Sequence, residues 1–439
     1  MTSDPRASFW ERYWFGEASL VRLAALRIIL LAATLFGVLR FTHGVLQGAD
    51  GADFAFLSNQ WRPIYAFEML HIGPMGPELA RVVLIVLLAA IAFGILGLFT
   101  RTACALAAVL TFLWVGTLYS YGKPHHDFVV LMFGLLALPL GPVGARISID
   151  SLRRRLRRAR DGGDPLEVPS HAPLAALPVH VVQLTAVLGY FFAGATKLIA
   201  SGPAWINGYS LQGHMLAFDS PWTEYFASNS EVCRLMSVGL IAIQATFPLI
   251  LLWGALRWFY LPGAVAFHLI AMQTMETGSF LTLWFTLAAF ISLEKLPYYW
   301  VNSVGAGKLR WRILRWSAWV LGALGIGLIY FRIVPLYLVV CVVPLGLAAG
   351  LALIGGMELE LAYDRTSARA RRRVAWVAAL DWTDRVLILD EEKSTEVLAG
   401  RELAVLDHKG RRSLDGDALR TLVWRLPLTL PLAPLWWRP

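Results

Sequence analysis

The chain has 439 residues, 57% of them hydrophobic and 18 of them tryptophan, and its mean hydropathy of +0.58 excludes an ordinary soluble protein. Its formal charge of +9 comes mainly from arginines beside apolar runs, which indicates cytoplasmic loops of a membrane protein rather than a nucleic-acid-binding surface. Its three cysteines are far apart and lie in or beside apolar segments, so they indicate neither a disulfide framework nor a metal site.

The N-terminal residues lack a signal-peptide cleavage pattern, and the amphipathic, aromatic segment 7–19 predicts a helix at the membrane interface. The apolar runs that follow predict an all-α polytopic bundle of about ten transmembrane helices. The predicted spans lie near residues 20–41, 79–98, 103–119, 128–140, 177–199, 232–253, 259–275, 279–293, 316–333 and 336–355.

Arginine and lysine clusters set the predicted orientation of this bundle. With the N-terminus inside, all five basic groups fall on the cytoplasmic side, near Arg101, 153–160, Arg257, 308–315 and 369–373. Both termini are then cytoplasmic. The abundance of alanine and of arginine over lysine indicates a GC-rich bacterial genome, so we expect a multi-pass protein of the bacterial inner membrane.

Beyond Met357 the pattern becomes that of a small cytoplasmic α/β domain, and we place the domain boundary between residues 356 and 357. Strands are predicted at 358–363, 385–390 and 402–407, where apolar residues alternate or run together. Helices are predicted at 368–380 and 415–424.

Lys197 stands near the end of the apolar helix within the stretch Gly189–Ser210. An ionisable side chain is costly at membrane depth and must find partners, reach water or lose its proton. Only six of the 39 basic residues are lysines. A desolvated lysine can become a neutral base, whereas arginine cannot. The alternative is a helix-end lysine whose ammonium extends to the lipid headgroups.

Four motifs stand out in roughly the first 300 residues. They are PHHDF at Pro124–Phe128, SID at Ser148–Asp150, AFHLIAMQTMETGSF at Ala266–Phe280, and a pattern formed by Ala193, Gly194, Lys197, Leu198, Trp205, Gly208, Tyr209 and Ser210. Together these motifs resemble the HTTM superfamily, which includes vitamin K-dependent gamma-carboxylase.

The resemblance implies a base role for Lys197, because the matching lysine of the carboxylase deprotonates vitamin K hydroquinone. The resulting anion reacts with oxygen to give a strong base that removes a proton from glutamate before carbon dioxide adds. The resemblance implies that His126 hydrogen-bonds an oxyanion or orients the quinol, and that a reduced quinone is the cofactor, without a metal. The implied substrate-binding residues are His125, Trp205, Tyr209, His268 and Gln273.

Alternatives remain open for the histidines: His125 and His126 also suit interfacial residues that cap the fourth span, and His268 suits a hydrogen-bonded histidine inside the bundle. A neutral base would benefit from apolar surroundings. We expect these from Phe191, Phe192, Leu198 and Ile199.

The C-terminal segment resembles the DCC family of thioredoxin-like thiol-disulfide oxidoreductases, in which YDGDC-x-x-C precedes a basic helix that ends in LDW. Here Tyr363-Asp364 and Leu380-Asp381-Trp382 keep both ends of the pattern, but Ser367 and Ala370 replace the two cysteines. Disulfide exchange needs a thiolate and a partner sulfur. We therefore expect a redox-dead thioredoxin-like domain kept for stability, for docking a protein partner or for regulation.

Two functions follow from these observations. The first is a membrane enzyme, a carboxylase-like lyase or a quinol-oxidising oxidoreductase, that uses Lys197 on a lipophilic or peptide substrate near the non-cytoplasmic face. Peptide glutamate carboxylation is not expected, because nothing matches the large domain that grips the peptide in the carboxylase. The second is a non-catalytic protein that binds membrane lipid, a quinone or a partner protein. Transport ranks below both, since no second charged residue marks a coupling site.

Overall fold

A computed structural model describes residues 8–49, 61–121, 128–166, 169–217, 222–275, 281–292, 359–381, 386–389, 391–407 and 410–425. The chain divides into two units, and each is a separate cluster of contacts. The first is formed by Met1–Gly144 and His171–Ile291, and the second by Ala145–Ser170 and Ser292–Pro439. Residues 145–170, which the sequence assigned to the membrane part, therefore cluster with the C-terminal part of the chain.

Where the structure describes it, the first unit consists mainly of helices and has one short strand pair, in which β1 (Ala18–Ser19) runs antiparallel to β2 (His171–Ala172). The helix α7 (Ile149–Arg160) belongs to the second unit. The other helices, in chain order, are α1 (Phe9–Phe15), α2 (Leu20–Ala49), α3 (Tyr65–Met69), α4 (Pro77–Leu96), α5 (Thr100–Ser120), α6 (Val129–Ala137), α8 (Ala176–Ile206), α9 (Tyr209–Leu216), α10 (Thr223–Ser228), α11 (Ser230–Thr246), α12 (Leu249–Leu252), α13 (Arg257–Met275) and α14 (Leu281–Leu287).

Among the described residues, four helices are long and apolar enough to cross a membrane. They are α2 over Leu20–Leu39, α4, α5 and α8. Their ends follow local signals: α4 begins with Pro77 after Gly76 and ends at Gly97, which adopts the left-handed conformation that glycine tolerates. The shorter α6 continues into the 3-10 turn Leu138–Leu140.

The described residues therefore do not show ten spans. The predicted span 232–253 is interrupted, because α11 ends at Thr246 and the four-residue α12 follows Pro248. A proline removes a backbone donor and clashes with the preceding turn, which breaks a helix. The predicted spans 316–333 and 336–355 lie outside the described residues, as does the predicted domain boundary.

A fully buried arginine, Arg27 of α2, connects three parts of the first unit. Its Nη1 donates to the carbonyl oxygen of Val143 at 2.6 Å, and its Nη2 donates to that of Ile95 at 3.4 Å. Ile95 is in the last turn of α4, where carbonyls lack partners within the helix. The guanidinium thus ties α2 to the end of α4 and to the connection after α6.

The second unit contains a four-stranded sheet of order β4-β3-β5-β6, in which β3 pairs parallel with β4 and antiparallel with β5. Strand β6 is antiparallel to β5. The predicted helix 368–380 is confirmed at its exact bounds. From residue 359 onward the described elements are, in chain order, β3 (Leu359–Tyr363), α15 (Ala368–Leu380), β4 (Val386–Ile388), α16 (Glu391–Leu398), β5 (Leu403–Leu406), β6 (Arg412–Leu414) and α17 (Asp415–Arg425).

The arginine-rich helix α7 and the residues after it belong to this second unit. Leu166 packs against the core formed by β3, β5, α15 and α17. Arg371 of α15 donates from Nε to the carbonyl oxygen of Ala159 at 3.0 Å. Tyr363 donates to the Asp164 carboxylate at 3.3 Å, and burial, together with that carboxylate, raises the pKa of Tyr363 to about 12. The phenol therefore stays a neutral donor at physiological pH.

Candidate functional site

Lys197 lies on α8 and is held by two neutral oxygen atoms. Its Nζ donates to the carbonyl oxygen of Ala193 at 3.1 Å and to Oε1 of Gln244 on α11 at 3.2 Å. The side chain is half-buried, and within the described residues none of the ion pairs involves it. The amine is thus fixed in position without a carboxylate that would hold it in the charged state.

The contact with Gln244 depends on a close approach of α8 and α11 at Gly194. A Cβ at this position would lie 2.9 Å from Cβ of Gln244 and 3.0 Å from the backbone nitrogen of Ala245. Both atoms belong to rigid parts of α11, so a side chain at position 194 would force the helices apart. Gly194 therefore sets the distance at which Lys197, three residues further on, reaches a buried amide that is 3% exposed.

Trp205 completes the surroundings of the amine on the far side of a kink in α8. The helix bends at Gly202 (φ 16°, ψ −91°), next to Pro203, which cannot donate to the preceding turn. The Trp205 ring centroid lies 5.1 Å from Nζ of Lys197, within the range of a cation–π contact. Ser237 of α11 donates to the carbonyl oxygen of Trp205, which attaches the kinked end of α8 to α11.

The turn after Trp205 also requires glycine. Gly208 has φ +83°, and a Cβ there would come within 2.5 Å of the backbone nitrogen of Arg234. Any side chain at this position would be strained by the backbone conformation and by the neighbouring helix. Gly208 therefore lets α9 start directly against α11, and His214 of α9 lies with its ring 5.9 Å from that of Trp205.

His268 of α13 forms a second buried polar contact on the same face of α8. Its Nε2 is 2.8 Å from the hydroxyl of Tyr190, and both side chains are less than 5% exposed. The Tyr190 ring stacks on Phe247 at 4.2 Å. Tyr190 and Lys197 are seven residues apart, so the two polar contacts are separated by about 10 Å along the helix axis. This geometry agrees with a hydrogen-bonded bundle histidine; a role of His268 in substrate binding stays a prediction.

The other predicted membrane-site residues are not brought together with Lys197 by the described contacts. His125 and His126 lie outside the described residues. Gln273 is part of α13, where its backbone alone is described. Tyr209 is the first residue of α9 and is 64% exposed. Of the residues predicted by resemblance, Trp205 is the one whose described contacts reach the amine.

The described contacts of Lys197 include none of the four residues expected to surround it with apolar groups, Phe191, Phe192, Leu198 and Ile199. Phe192 and Ile199 are 59% and 86% exposed, and Phe191 and Leu198 are also exposed. These side chains point outward because they lie on other faces of α8 than Lys197. The amine is instead covered by α11 and by the indole of Trp205.

Sequence reasoning missed Gln244 and Tyr190. Both had a signal: Gln244 is a polar residue inside an apolar run, and Tyr190 shares a helix face with Lys197 at a spacing of two turns. Neither signal names its partner, because the pairing of α8 with α11 and α13 depends on tertiary packing.

In the second unit, Ser367 and Ala370 occupy the start of α15, three residues apart. The hydroxyl of Ser367 accepts from the backbone nitrogen of Ala370 at 3.2 Å and donates to Glu402 at 3.0 Å. Ala370 is fully buried. Ser367 is therefore an N-cap, a role in which a side-chain oxygen stabilises the first turn of a helix.

Throughout the part of the chain that the structure describes, no three His, Cys, Asp or Glu side chains are grouped so as to hold a metal ion. Comparison with known proteins identifies one family: the sequence model of the HTTM domain matches residues 22–294, more than half of the chain. The chain belongs to the HTTM family. The match to the HTTM domain includes Lys197, Gln244 and Trp205 and ends before β3. No curated protein and no solved structure matches the chain.

Proposed function

We propose that this HTTM protein binds a reduced quinone, or a similar weakly acidic molecule dissolved in the lipid, and that Lys197 is the base that accepts its proton near the non-cytoplasmic face of a bacterial inner membrane. One observation carries the proposal: the amine is half-buried and held by the neutral oxygens of Ala193 and Gln244. A lysine bound to a carboxylate would be fixed as a cation, whereas this one has neutral partners in both charge states.

Hydrogen-bond counting supports a base at this position. A neutral lysine amine has two N–H groups and one lone pair, and the carbonyl of Ala193 and the amide of Gln244 match the two donors. The lone pair then remains for a proton of the substrate. The nearby Trp205 ring offers a flat surface on which an aromatic ring can lie beside the amine.

A reduced quinone fits these residues. When bound, it would supply an acidic hydroxyl whose conjugate base reacts with oxygen, which is the chemistry that the carboxylase resemblance implies. Lys197 would take the hydroxyl proton, Gln244 would keep the amine in place, and Trp205 would exclude water from one side. We do not propose peptide glutamate carboxylation, for which these residues offer no peptide-binding feature.

A second function, non-catalytic binding of an anionic lipid, quinone or partner, is favoured by the same Trp205 contact. A ring face 5.1 Å from an ammonium stabilises the charged state. In that case Lys197 would remain a cation and bind an anion directly. The two functions differ in whether the amine must lose its proton.

The test uses the full chain in lipid nanodiscs, supplied with a reduced naphthoquinone, and follows oxygen consumption. For a base, Lys197→Ala and Lys197→Arg both abolish turnover, because arginine cannot deprotonate. Gln244→Glu should also abolish it, since a carboxylate would hold the lysine as a cation. Lys393→Ala, a lysine of α16, is the matched control and should leave the rate unchanged.

Full turnover by Lys197→Ala would refute the base role. If Lys197→Arg retains quinone in mass spectrometry of the purified protein while Lys197→Ala loses it, and neither the wild type nor a variant consumes oxygen, the non-catalytic function is correct.

We also propose that the C-terminal part is a thioredoxin-like domain without redox activity. Support comes from the order β3-α15-β4 with a parallel strand pair, followed by the antiparallel strands β5 and β6 and a closing helix. Ser367 and Ala370 have the spacing of a C-x-x-C pair at a helix start. The double variant Ser367→Cys/Ala370→Cys should form a disulfide on mild oxidation, measured by thiol labelling. Failure to form it in a folded protein would contradict the thioredoxin-like assignment.

A further inference from the structure

We propose that the second unit binds anionic phospholipid headgroups through an exposed stripe on α15, formed by Arg369, Arg372 and Trp376 and here called the basic stripe. The three residues are spaced three and four apart, so they share one face of the helix. All three are exposed, Trp376 by 51%. This proposal does not depend on the role of Lys197.

The basic stripe is left open because the other two faces of α15 are covered. Ala370, Val374 and Val377 pack into the core beside the sheet. Arg371 faces α7, where its Nε donates to the carbonyl oxygen of Ala159. What remains on the third face is two guanidinium groups and an indole.

Among the described residues of the unit, none neutralises the charges of the basic stripe. Within the described residues, neither Arg369 nor Arg372 takes part in an ion pair or a side-chain hydrogen bond. The neighbouring Arg373, by contrast, lies 3.4 Å from the Glu402 carboxylate. α7 adds to the positive charge, because Arg160 follows the contact residue Ala159 and is also exposed. The stripe therefore calls for an anionic partner from outside the unit.

A lipid surface fits better than an acidic protein for two reasons. First, among its described residues the same chain has four helices long and apolar enough to cross a membrane, so a lipid surface accompanies the unit. Second, an exposed tryptophan among arginines is typical of segments at the membrane interface, where the indole lies at the headgroup level and the guanidinium groups bind phosphate. An acidic protein would not require the indole.

The experiment uses the full chain in nanodiscs, with the native cysteines replaced by alanine and an environment-sensitive dye attached at Ala368→Cys, an exposed position beside the stripe. Quenching by brominated lipid is compared between discs of phosphatidylcholine and discs that also contain phosphatidylglycerol. We expect quenching in the anionic discs, and we expect added salt to reverse it.

Arg369→Gln/Arg372→Gln should lower the ratio of docked to undocked units roughly 30-fold, about fivefold per arginine. The matched control Arg411→Gln/Arg412→Gln removes the same charge from exposed positions at β6 and should leave quenching unchanged. Equal quenching in both disc types, or no effect of the stripe variant, would overturn the proposal. Protection of the dye only by an added acidic protein would overturn it in favour of a protein partner.

Discussion

Arg27 and Lys197 are two of the cationic side chains in the apolar helices of the first unit, and their surroundings differ. Arg27 is fully buried and donates to two backbone carbonyls, one of them in the last turn of α4. Lys197 is half-buried, and its partners are a carbonyl of its own helix and the side chain of Gln244. Both acceptors of Arg27 are backbone carbonyls, whereas one acceptor of Lys197 is the side-chain amide of Gln244.

The difference in acceptors indicates that Arg27 has a structural role, whereas Lys197 is available for chemistry. A guanidinium is always charged and satisfies several carbonyls at once, which suits the joining of helix ends. An amine with neutral partners can lose its proton or exchange a contact for a ligand. The identity of the neighbours, rather than the presence of a charge, therefore distinguishes the two sites.

We expect the largest loss of stability from substitution of Arg27. Arg27→Met leaves the carbonyls of Val143 and Ile95 without this donor and should lower the free energy of unfolding by about 3 kcal/mol. The measurement is chemical unfolding of the protein in bicelles. Arg27→Lys should recover part of the loss, since an ammonium reaches fewer carbonyls than a guanidinium.

Lys197→Met is the matched variant on the other side. This variant should lower the free energy of unfolding by no more than about 1 kcal/mol, because the lost hydrogen bond to Gln244 is offset by the removal of a half-buried polar group. If both methionine variants were destabilised equally, Lys197 would be as structural as Arg27, and the distinction drawn above would be wrong.

The sequence predicted much of the helical layout but not this distinction. The runs 79–98 and 103–119 correspond closely to α4 and α5, because spans of this length need a continuous apolar sequence. The predicted helix 368–380 corresponds to α15, whose first turn Ser367 caps and which ends before Asp381. Such elements depend on local sequence.

What the sequence did not predict depends on contacts between distant segments. Arg27 has no local sequence signal for its carbonyl partners, which are 68 and 116 residues away. The partner of Lys197, Gln244, is 47 residues away. Likewise, α7 gave no local signal that it packs in the second unit. The periodicity of a single sequence does not indicate which distant residues are in contact.

A substitution at Gly194 tests how tightly α8 and α11 pack beside Lys197. Gly194→Ala should destabilise the protein by about 1–3 kcal/mol, although alanine favours helices, because the new Cβ would meet rigid atoms of Gln244 and Ala245. Unfolding in bicelles measures it. Gly189→Ala, on the same helix, is the control: its Cβ would lie 3.8 Å from Val130, an ordinary contact, so this variant should be at least as stable as the wild type.

The smallest effect concerns the Tyr190–His268 hydrogen bond. Tyr190→Phe keeps the stacking on Phe247 and removes only the hydroxyl, and single hydrogen bonds between membrane helices contribute about 0.6 kcal/mol. The free energy of unfolding should therefore fall by about that amount. Tyr209→Phe, at an exposed position, should leave the free energy of unfolding unchanged. Turnover with the reduced quinone should persist in Tyr190→Phe, because the pair lies about 10 Å along the helix from Lys197. A loss of turnover with unchanged stability would instead assign His268 and its partner to substrate binding, and the substrate site would then extend over two turns of α8.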